Sequence, residues 1–310
     1  MREFDFIHWI RRVTRLDPAA VPVGPGDDCA VVMCGHERVL VTVDQVLDGV
    51  HVRLAEHGPA AAGRKAMARN LSDVAAMAAV PLCAVASVAL PRGFAREDAE
   101  KLHRGLREMG EAFGCPVVGG DISSWDRPLA VSVTVLARPA GVEPILRSGA
   151  RPGDAVCVTG SLGGAWRGRR HLEFIPRIRE ARLLAGRYDI HAMMDLSDGL
   201  AGDVGHICRA SGVGVEILAA AVPIHDDVAQ RSRHLDPPVT DPLTAALCDG
   251  EDYELLFTLP EPHAKALLAE QPLTVPVTRV GTITADKAIT LVLSDGARRP
   301  LPAAGWEHQT

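Results

Sequence analysis

Residues 59–90 read PAAAGRKAMARNLSDVAAMAAVPLCAVASVAL, and this stretch decides how the first half of the chain folds. Its first part is rich in alanine, the strongest helix former. Its last part, from Leu82 to Leu90, is a short apolar run that follows Pro81. We therefore predict a helix over 59–79 and a buried strand over 82–90. The apolar part is short for a membrane span and is divided by Pro81, so no membrane segment is predicted here.

Element types alternate around this stretch. Strands are predicted at 39–43, 117–118 and 129–136, and residues 95–113 carry apolar side chains at helical spacing. The order β-α-β-α-β-β is typical of a sheet with helices on one face. We expect an α/β (α+β) protein whose N-terminal sheet is mixed.

A break near residue 140 separates two halves of the chain. Residues 138–144 read RPAGVEP, and 151–154 read RPGD, which is a strong turn signal. Because 310 residues exceed the usual size of one domain, we predict domains at 1–140 and 141–310. The second is predicted to be α/β, with strands near 155–159, 253–259, 276–283 and 289–293 and helices near 168–186, 198–211 and 261–269. The prolines that follow Asp236 and Asp241 predict loops.

Composition excludes several classes of protein. Aromatic residues are only 4% of the chain and the net charge is −6, which argues against a nucleic-acid binder. The seven cysteines are scattered, odd in number and form no C-x-x-C pair, so a disulfide scaffold or zinc site is not indicated. The N-terminus has no signal-peptide pattern. We expect a cytoplasmic protein with no membrane partner.

Carboxylates recur where predicted strands end and helices begin. Asp73 is unusual because it lies inside the alanine-rich helix. The others are Asp27, Asp28, Asp44, Asp121, Asp195, Asp198, Glu251 and Asp252. Acidic groups beside buried apolar runs are costly unless they are paired or bind a cation. Oxygen ligands favour Mg²⁺ over zinc, and Mg²⁺ held by a few carboxylates usually has a phosphorylated substrate as its other partner.

Each acidic residue also has a plainer interpretation. A single Asp at a strand end or helix start is often only a cap, as Asp28 and Asp198 could be. In this interpretation Asp27 serves only to orient its loop, and Asp252 points to solvent. Lys65 lies two turns before Asp73, so a shared site is one interpretation, but a solvated lysine is the favoured one. Glycine-rich turns at 24–26, 119–120 and 160–164 expose N–H groups that suit phosphate, although such turns are often merely structural.

Eight blocks of this sequence, in order, resemble the thiamine-monophosphate kinase family. They are Gly26-Asp-Asp-Cys-Ala30, Thr42-Val-Asp44, Asp48-Gly-Val-His51, Asn70-Leu-Ser-Asp73, Gly119-Gly-Asp121, the stretch from Arg147 to Asp154, the stretch from Asp195 to Leu200, and Gly250-Glu-Asp-Tyr-Glu-Leu255. The match is collinear and runs along the whole chain. The wider superfamily includes aminoimidazole ribonucleotide synthetase, selenophosphate synthetase and a hydrogenase maturation factor.

The resemblance implies a two-domain fold like that of aminoimidazole ribonucleotide synthetase, with N-terminal domains that pair in a homodimer. It implies direct transfer of the γ-phosphoryl group of ATP to thiamine monophosphate, in a cleft near that interface, with several Mg²⁺ ions. The metal ligands it implies are Asp28, Thr42, Asp44, Asp73, Asp121, Asp195 and Asp198, of which Asp44, Asp121 and Asp195 are the expected catalytic residues. The nucleotide contacts are Gly120, Asp121, Arg147 and Ser197, and the thiamine-side contacts are His51, Glu251 and Trp306.

The chain departs from the family pattern in one long segment and at several single positions. Gly164 stands where an Asp is expected, and the helical stretch that normally follows is shortened, so the local cleft wall is in question. Arg69 before Asn70 is one of the smaller departures, with Val43, Cys248 and Gln309. All the acidic metal positions are kept, which favours an active kinase.

Two other functions remain open from the sequence. One is a sister enzyme of the same superfamily that makes an acyl- or seleno-phosphate, although no reactive Cys precedes the first Asp pair. The other is a weakened or non-catalytic nucleotide-binding paralogue. Retained carboxylates argue against the second, because a scaffold has no use for buried acids.

Overall fold

A computed structural model describes residues 3–231 and 241–301. Its α-helices are α1 (Glu3–Val13), α2 (Leu54–Ala76), α3 (Arg96–Glu111), α4 (Ile178–Arg187), α5 (Leu200–Ser211), α6 (Asp226–Arg231), α7 (Pro242–Cys248) and α8 (Glu261–Glu270). Its strands are β1 (Ala30–Cys34), β2 (Glu37–Leu47), β3 (Val80–Pro91), β4 (Val117–Trp125), β5 (Ala130–Arg138), β6 (Ala155–Thr159), β7 (Ala192–Asp195), β8 (Gly214–Leu218), β9 (Leu255–Leu259), β10 (Val277–Thr284), β11 (Ile289–Val292) and β12 (Arg298–Pro300).

The N-terminal sheet has the order β1-β2-β5-β3-β4. Only β3 and β4 run parallel, so the sheet is mixed, as predicted. Along β5 the side chains of Val131, Val133 and Val135 are buried, whereas Ser132 and Thr134 between them are partly exposed. This alternation is what a sheet covered on one face requires. The helices α2 and α3 cover that face, which confirms the predicted layering.

Helix α2 begins at Leu54, five residues earlier than predicted, because a kink at Gly58 joins a short first turn to the long helix. The long part packs closely against α3. A side chain at Gly63 would come within 2.0 Å of the Leu102 carbonyl oxygen, and one at Gly105 would meet Ala60 in the same way. The two glycines therefore let the helix backbones touch. The helix ends where Ala78 takes a positive φ of 53°.

The C-terminal sheet has the order β12-β11-β8-β10-β6-β9-β7, with only β8 and β11 parallel. The helix predicted over 168–186 is wrong in detail, because a 3₁₀ turn at Arg170–Leu172 and the helix α4 replace it. The loop predicted at Asp241-Pro is also wrong. There Asp241 accepts the Leu243 N–H at 3.1 Å and starts α7, with proline in the first helical turn.

Helix α2 lies between the two sheets, and the larger hydrophobic core draws on both halves. Met67 and Leu71 of α2 share this core with Met193 of β7 and Phe257 of β9. A second core, formed by β8, β10, α5 and their neighbours, belongs to the C-terminal half alone. The chain passes from one sheet to the other between Arg138 and Ala155. The domain limits 1–140 and 141–310 stay a prediction.

None of the helices in the described parts of the chain combines the length and the apolar character that a bilayer span needs. The apolar stretch 74–90 instead forms the end of α2 and most of β3, as predicted. All seven cysteines carry free thiols. Four of them are buried, and Cys115 and Cys157 pack in the larger core.

Candidate functional site

Three carboxylate side chains from distant parts of the sequence lie close together in the structure. Asp28 precedes β1, Asp73 lies on α2, and Asp195 is the last residue of β7. Each offers an oxygen, and these oxygens all lie within 4.8 Å of one another. We call Asp28, Asp73 and Asp195 the acidic cluster. Residues more than 160 positions apart in the chain thus converge at one point.

Two hydroxyl groups orient the acidic cluster. Thr42 of β2 donates to Asp73, and the Ser72 hydroxyl donates to Asp195 at 2.6 Å. Thr42 was predicted as a metal-side residue and does contact one of the predicted ligands. Ser72 was missed, although its place beside Asp73 in a helix that packs against β7 is a signal that could have found it.

The acidic cluster is short of positive charge. Burial, together with the charges of Asp44, Asp195 and Asp28, raises the pKa of Asp73 well above its ordinary value. Burial and the Asp28 charge likewise raise the pKa of Asp195 to about 7. The donors are all carboxylate oxygens, which suit a hard divalent cation such as Mg²⁺. A cation would relieve the repulsion that raises these pKa values, so the residues fit the metal that the sequence predicts.

Asp44 lies next to the acidic cluster but is already paired with a cation. The prediction that it ends a strand is wrong, since β2 continues to Leu47 and Asp44 lies inside it. Arg69 of α2 donates to Asp44 through Nη2 at 3.3 Å, and its Nε lies 3.1 Å from the other carboxylate oxygen. Burial raises the pKa of Asp44 even so, with Arg69 acting in the opposite direction.

Arg147 forms a fork on Asp28. Its Nη2 donates to Oδ1 at 2.7 Å and its Nε to Oδ2 at 3.2 Å. The backbone N–H of Arg147 also donates to Asp27 at 2.7 Å, so Asp27 orients this loop, as one of the sequence interpretations held. The predicted nucleotide contact therefore lies at the edge of the acidic cluster, with its guanidinium one-fifth exposed.

A second group of charged side chains surrounds Lys65, which comes before Asp73 on α2, and here the charges balance. The Lys65 ammonium is fully buried and donates to the His51 carbonyl oxygen at 2.7 Å and to the Glu251 carboxylate. The His171 Nδ1 lies 2.7 Å from the same ammonium and 3.1 Å from Glu251. We call Lys65, His171 and Glu251 the balanced cluster. The expectation of a solvated lysine at 65 is wrong.

Charge compensation appears in the pKa values of the balanced cluster. Burial would raise the pKa of Glu251, but hydrogen bonding to His171 and the Lys65 charge lower it to about 2. Burial lowers the pKa of Lys65 to about 8, against the attraction of Glu251. Burial also lowers the pKa of His171 to about 4, so this imidazole is neutral at pH 7. Glu251 therefore stays ionised in a buried position.

The segment that departs from the family pattern closes over the balanced cluster. The Trp166 ring lies 4.4 Å from the His171 ring, and the Lys65 ammonium lies 5.2 Å from the Trp166 centroid. Asp252, for which solvent exposure was one interpretation, is buried instead and accepts the Gly163 N–H and a hydrogen bond from Arg170. The shortened segment is thus a packed wall. Neither Trp166 nor His171 was predicted as a site residue.

Backbone hydrogen bonds join the loop after β7 to the loop before β9. The Glu251 N–H donates to the Ser197 carbonyl oxygen at 2.7 Å, and the Tyr253 N–H donates to Leu196 at 2.8 Å. Glu251 and Tyr253 have positive φ angles of 59° and 51°, which are rare for side chains of this size. Such strain is found where a surrounding structure holds a functional loop. Ser197 and Glu251 are thereby brought together.

Asp198 belongs to a neighbouring group and not to the acidic cluster. Its carboxylate lies within 4.8 Å of ligand atoms on Asp203 and His206 of α5. Asp203 is fully buried and accepts the N–H groups of Asp198 and Gly199 at 3.2 and 3.0 Å. It thus fixes the loop before α5. Its oxygen Oδ1 has no partner within the described residues. The sequence interpretation missed Asp203 because an acidic residue in a first helical turn is ordinary.

The structure does not bring Asp121 to the acidic cluster in this single chain. Asp121 does not follow a strand but lies within β4, the exposed edge of the sheet. Its register partner is Ser87, whereas Asp44 shares a row with Val133, Ala86 and Gly120. Asp121 and Asp44 therefore point to opposite faces. A side chain at Gly120 would lie 1.8 Å from the Ala86 carbonyl oxygen, so close strand packing already explains this glycine.

Two predicted thiamine-side residues remain, His51 and Trp306. His51 is buried, its Nδ1 accepts the Leu47 N–H at 3.1 Å, and its carbonyl oxygen contacts the balanced cluster. Trp306 lies outside the described residues.

Beside β4, a cavity of about 450 Å³ opens between the sheet and α3. Its lining is mostly apolar and includes Val88, Leu102 and Leu106, together with Gly120 and Asp121.

Comparisons with known proteins give consistent matches. The family model "AIR synthase related protein, N-terminal domain" matches residues 26–138, and its C-terminal counterpart matches residues 151–294. A thiamine-monophosphate kinase of Rhodopirellula baltica is 38% identical over 289 residues, which cover 91% of this chain and 89% of that protein. A thiamine-monophosphate kinase of Bacillus subtilis is 31% identical over 332 residues, which cover 99% of each.

Solved structures agree in fold. AaThiL complexed with AMPPCP and TMP has a TM-score of 0.82 and 29% identity, and the match covers 99% of this chain and 97% of that chain. Thiamine-monophosphate kinase from Stenotrophomonas maltophilia has a TM-score of 0.73 at 29% identity, covering 94% and 95%. The hydrogenase maturation protein HypE of Escherichia coli, with a TM-score of 0.72 at 20% identity and coverage of 86% and 87%, shares the fold alone.

Proposed function

The chain belongs to the thiamine-monophosphate kinases among the AIR synthase related proteins, and we propose that its acidic cluster is where ATP phosphorylates thiamine monophosphate. It is a phosphotransferase that forms thiamine diphosphate and ADP. The observation that carries the assignment of the site is the meeting of Asp28, Asp73 and Asp195 from three distant parts of the chain. In support, AaThiL, a structure bound to the ATP analogue AMPPCP and to TMP, matches nearly the whole chain.

Mg²⁺ is the metal that we propose for the acidic cluster. Bound there, it would neutralise phosphate oxygens and hold them for in-line transfer. The proposed ligand set is the one that the sequence predicts, namely Asp28, Thr42, Asp44, Asp73, Asp121, Asp195 and Asp198. Within this set, the contacts among Asp28, Asp73, Asp195 and Thr42 support the assignment directly. The roles of Asp121 and Asp198 stay proposals that rest on the family resemblance.

The phosphoryl transfer requires little acid–base catalysis from the protein. The bond between the γ-phosphorus and the β,γ-bridging oxygen breaks, and a new bond forms to a phosphate oxygen of thiamine monophosphate. That oxygen is already ionised, so no strong general base is needed. The side chains contribute by positioning two anions and compensating their charge. We propose that Arg147 turns its fork from Asp28 to a phosphate of the nucleotide, since guanidinium suits both partners.

We propose the cavity beside β4 for the base of the nucleotide. Val88, Leu102 and Leu106 form apolar walls, and Gly120 and Asp121 also line the cavity. A flat purine would pack against these apolar walls, and the triphosphate would extend from it toward the glycine-rich strand β4. The cavity therefore supports Gly120, which shares its face of the sheet. The Asp121 side chain points to the other face, so its proposed nucleotide contact rests on the family resemblance. Ser197 is proposed as the contact from the opposite loop.

The balanced cluster is proposed as the thiamine side of the site. Lys65 connects His51 and Glu251, so two residues predicted to contact thiamine share one buried cation. Lys65 and His171 both contact Oε2 of Glu251, and we propose that Oε1 is the oxygen that pairs with a substrate amino group or the cationic thiazolium. The third predicted contact, Trp306, stays a prediction.

A homodimer is the proposed assembly. The face of the N-terminal sheet opposite α2 and α3 exposes Val43, Val85 and Leu136 on three neighbouring strands. Exposed apolar side chains in adjacent rows suit burial against a second copy. Asp121 points to this same face, so pairing would enclose a residue that one chain leaves exposed. A cytoplasmic location stays a prediction.

The test is an assay of the purified protein with ATP, Mg²⁺ and thiamine monophosphate, with free thiamine as the control acceptor. Thiamine diphosphate and ADP should form in equal amounts, and free thiamine should give neither, because the acceptor must supply a phosphate oxygen. Direct transfer also predicts that no labelled phosphate stays on the protein. Turnover of ATP without thiamine diphosphate, or phosphate trapped on the chain, would contradict the proposal.

A further inference from the structure

Trp166 lies in the shortened segment that begins at Gly164, where the chain departs from the family pattern. Two backbone hydrogen bonds close this segment into tight turns. The Gly168 N–H donates to the Gly164 carbonyl oxygen at 2.7 Å, and the His171 N–H donates to that of Ala165 at 3.2 Å. The centroid of the Trp166 ring lies 4.4 Å from that of the His171 ring, with 36° between the ring planes. Trp166 is therefore packed on the balanced cluster and is not a loose surface aromatic.

Helix α2 fixes the far end of the same segment. The Arg64 guanidinium donates through Nη1 to the Leu172 carbonyl oxygen at 2.6 Å. Through Nη2 it donates to the carbonyl oxygens of Glu173 at 2.9 Å and Phe174 at 2.7 Å. Arg64 directly precedes Lys65, so one turn of α2 both anchors the wall and carries the buried ammonium of the balanced cluster.

His171 is buried among charged groups, with 1% of its surface exposed. From α2 it faces the Lys65 ammonium, 2.7 Å from Nδ1, and the His57 ring, whose centroid lies 5.6 Å away. From the loop before β9 it faces the Glu251 carboxylate at 3.1 Å. Its Nε2 is buried and has no hydrogen-bond partner within the described residues. A charged imidazole needs a partner for each of its two N–H groups, so this position favours the neutral ring.

We propose that Trp166 is a positioning residue for acceptor binding, because it shields His171 from water and so keeps the balanced cluster free of net positive charge. With a neutral His171, the Lys65 ammonium and the Glu251 carboxylate cancel each other. A charged His171 would add one positive charge beside the residues proposed to contact the cationic thiazolium, and like charges repel. Trp166 therefore lowers the KM for thiamine monophosphate. This inference rests on the proposed thiamine side of the site.

The first test measures the titration of His171 in the full chain without substrate. NMR follows the imidazole protons, and the signal is assigned by its loss in His171→Gln. Burial lowers the pKa of His171 to about 4 in the wild type. In Trp166→Ala water reaches the ring, and we expect this pKa to rise to about 5.5 or higher, toward the ordinary value of about 6.5. Trp166→Phe should restore the wild-type titration, because a phenyl ring still covers the imidazole. Trp9→Ala is the matched control, since Trp9 is 49% exposed on α1, and it should titrate like the wild type.

The second test compares the KM for thiamine monophosphate at pH 5.5 and pH 7, where Lys65, with a pKa of about 8, stays mainly charged. Each KM is divided by the wild-type value at the same pH, so that ionisation of the substrate phosphates cancels. For Trp166→Ala this ratio should be about two- to fourfold higher at pH 5.5, because His171 gains its charge as the pH falls. Adding His171→Gln to that variant should remove the pH dependence. The corresponding ratio for ATP should not change with pH.

The outcomes separate this inference from the proposed function. The same His171 titration in Trp166→Ala and the wild type, or a KM ratio that is equal at both pH values, would overturn the inference. If Trp166→Ala does not fold, Trp166→Leu serves instead, since leucine covers less of the imidazole and should raise the pKa of His171 by a smaller amount. Absence of turnover in the wild type would reject the proposed function, and the NMR titration would still decide whether Trp166 shields His171.

Discussion

The acidic cluster and the balanced cluster each take one residue from α2, Asp73 and Lys65, yet the two clusters compensate buried charge in opposite ways. In the acidic cluster, Asp28, Asp73 and Asp195 converge with too little positive charge, and the pKa of Asp195 rises to about 7. In the balanced cluster, Lys65 neutralises Glu251, whose pKa falls to about 2. The first region holds more carboxylates than cations, whereas in the second the charges balance.

This difference separates two kinds of functional site. A group of like charges is costly in the free protein and becomes favourable only when its ligand binds, so it marks the place where binding energy is used. A neutralised pair is formed before the ligand arrives and holds a carboxylate in one orientation. We therefore expect changes in the acidic cluster to affect turnover and metal binding first. Changes in the balanced cluster should affect stability and thiamine binding first.

The largest expected effect is on turnover in the acidic cluster. Asp195→Asn should lower kcat by about a thousandfold or more, which corresponds to roughly 4 kcal/mol of barrier, because it removes a negative charge from the proposed metal site. The fold should persist, since an amide relieves the repulsion between the carboxylates. Steady-state kinetics with circular dichroism checks this. Asp126→Asn, at an exposed ion pair, is the control and should keep wild-type kinetics. Near-normal turnover in Asp195→Asn would remove the distinction between the clusters.

The next effect is on stability in the balanced cluster. Lys65→Met should lower the free energy of unfolding by about 3–5 kcal/mol, because it leaves Glu251 as an uncompensated buried charge. Urea unfolding measures this loss. Lys265→Met is the matched control, since Lys265 is largely exposed on α8, and it should stay within about 0.5 kcal/mol of the wild type. Equal stability of the two variants would mean that the Lys65–Glu251 pair is not neutralising a buried charge.

The smallest effect is a pH dependence that isolates one carboxyl group. The pKa of Asp195 is raised to about 7 in the folded protein, so between pH 4 and 7 the folded state holds a proton that the unfolded state releases. Wild-type stability from this group is therefore lost as pH rises, whereas Asn does not titrate. In metal-free buffer, Asp195→Asn should gain about 1–3 kcal/mol relative to the wild type between pH 4 and 7, and the gain should level off above pH 7. A constant difference across this range would contradict the raised pKa.

Much of the fold could be predicted because local patterns and tertiary packing agree. The alanine-rich stretch forms α2, the run after Pro81 forms β3, and residues 155–159 form β6 with the predicted limits. The failures have physical reasons. The helix expected over 168–186 is interrupted because Gly168 and Pro176 break its pattern. Strand β8 was missed because only five residues, Gly214–Leu218, form it, and its neighbours in the sheet come from distant parts of the chain.

The sequence alone determined which residue types carry the chemistry. Carboxylates in unfavourable positions, such as Asp73 in an apolar helix, indicated a cation site, and eight collinear blocks indicated the family. Only the tertiary structure decided how these groups are paired. It placed Arg69 on Asp44, buried Lys65 against Glu251 and kept Asp121 on the opposite face of the sheet. The reason is that spacing along a chain shows which side chains share a face, whereas the compensation of charge depends on distances between elements that only packing sets.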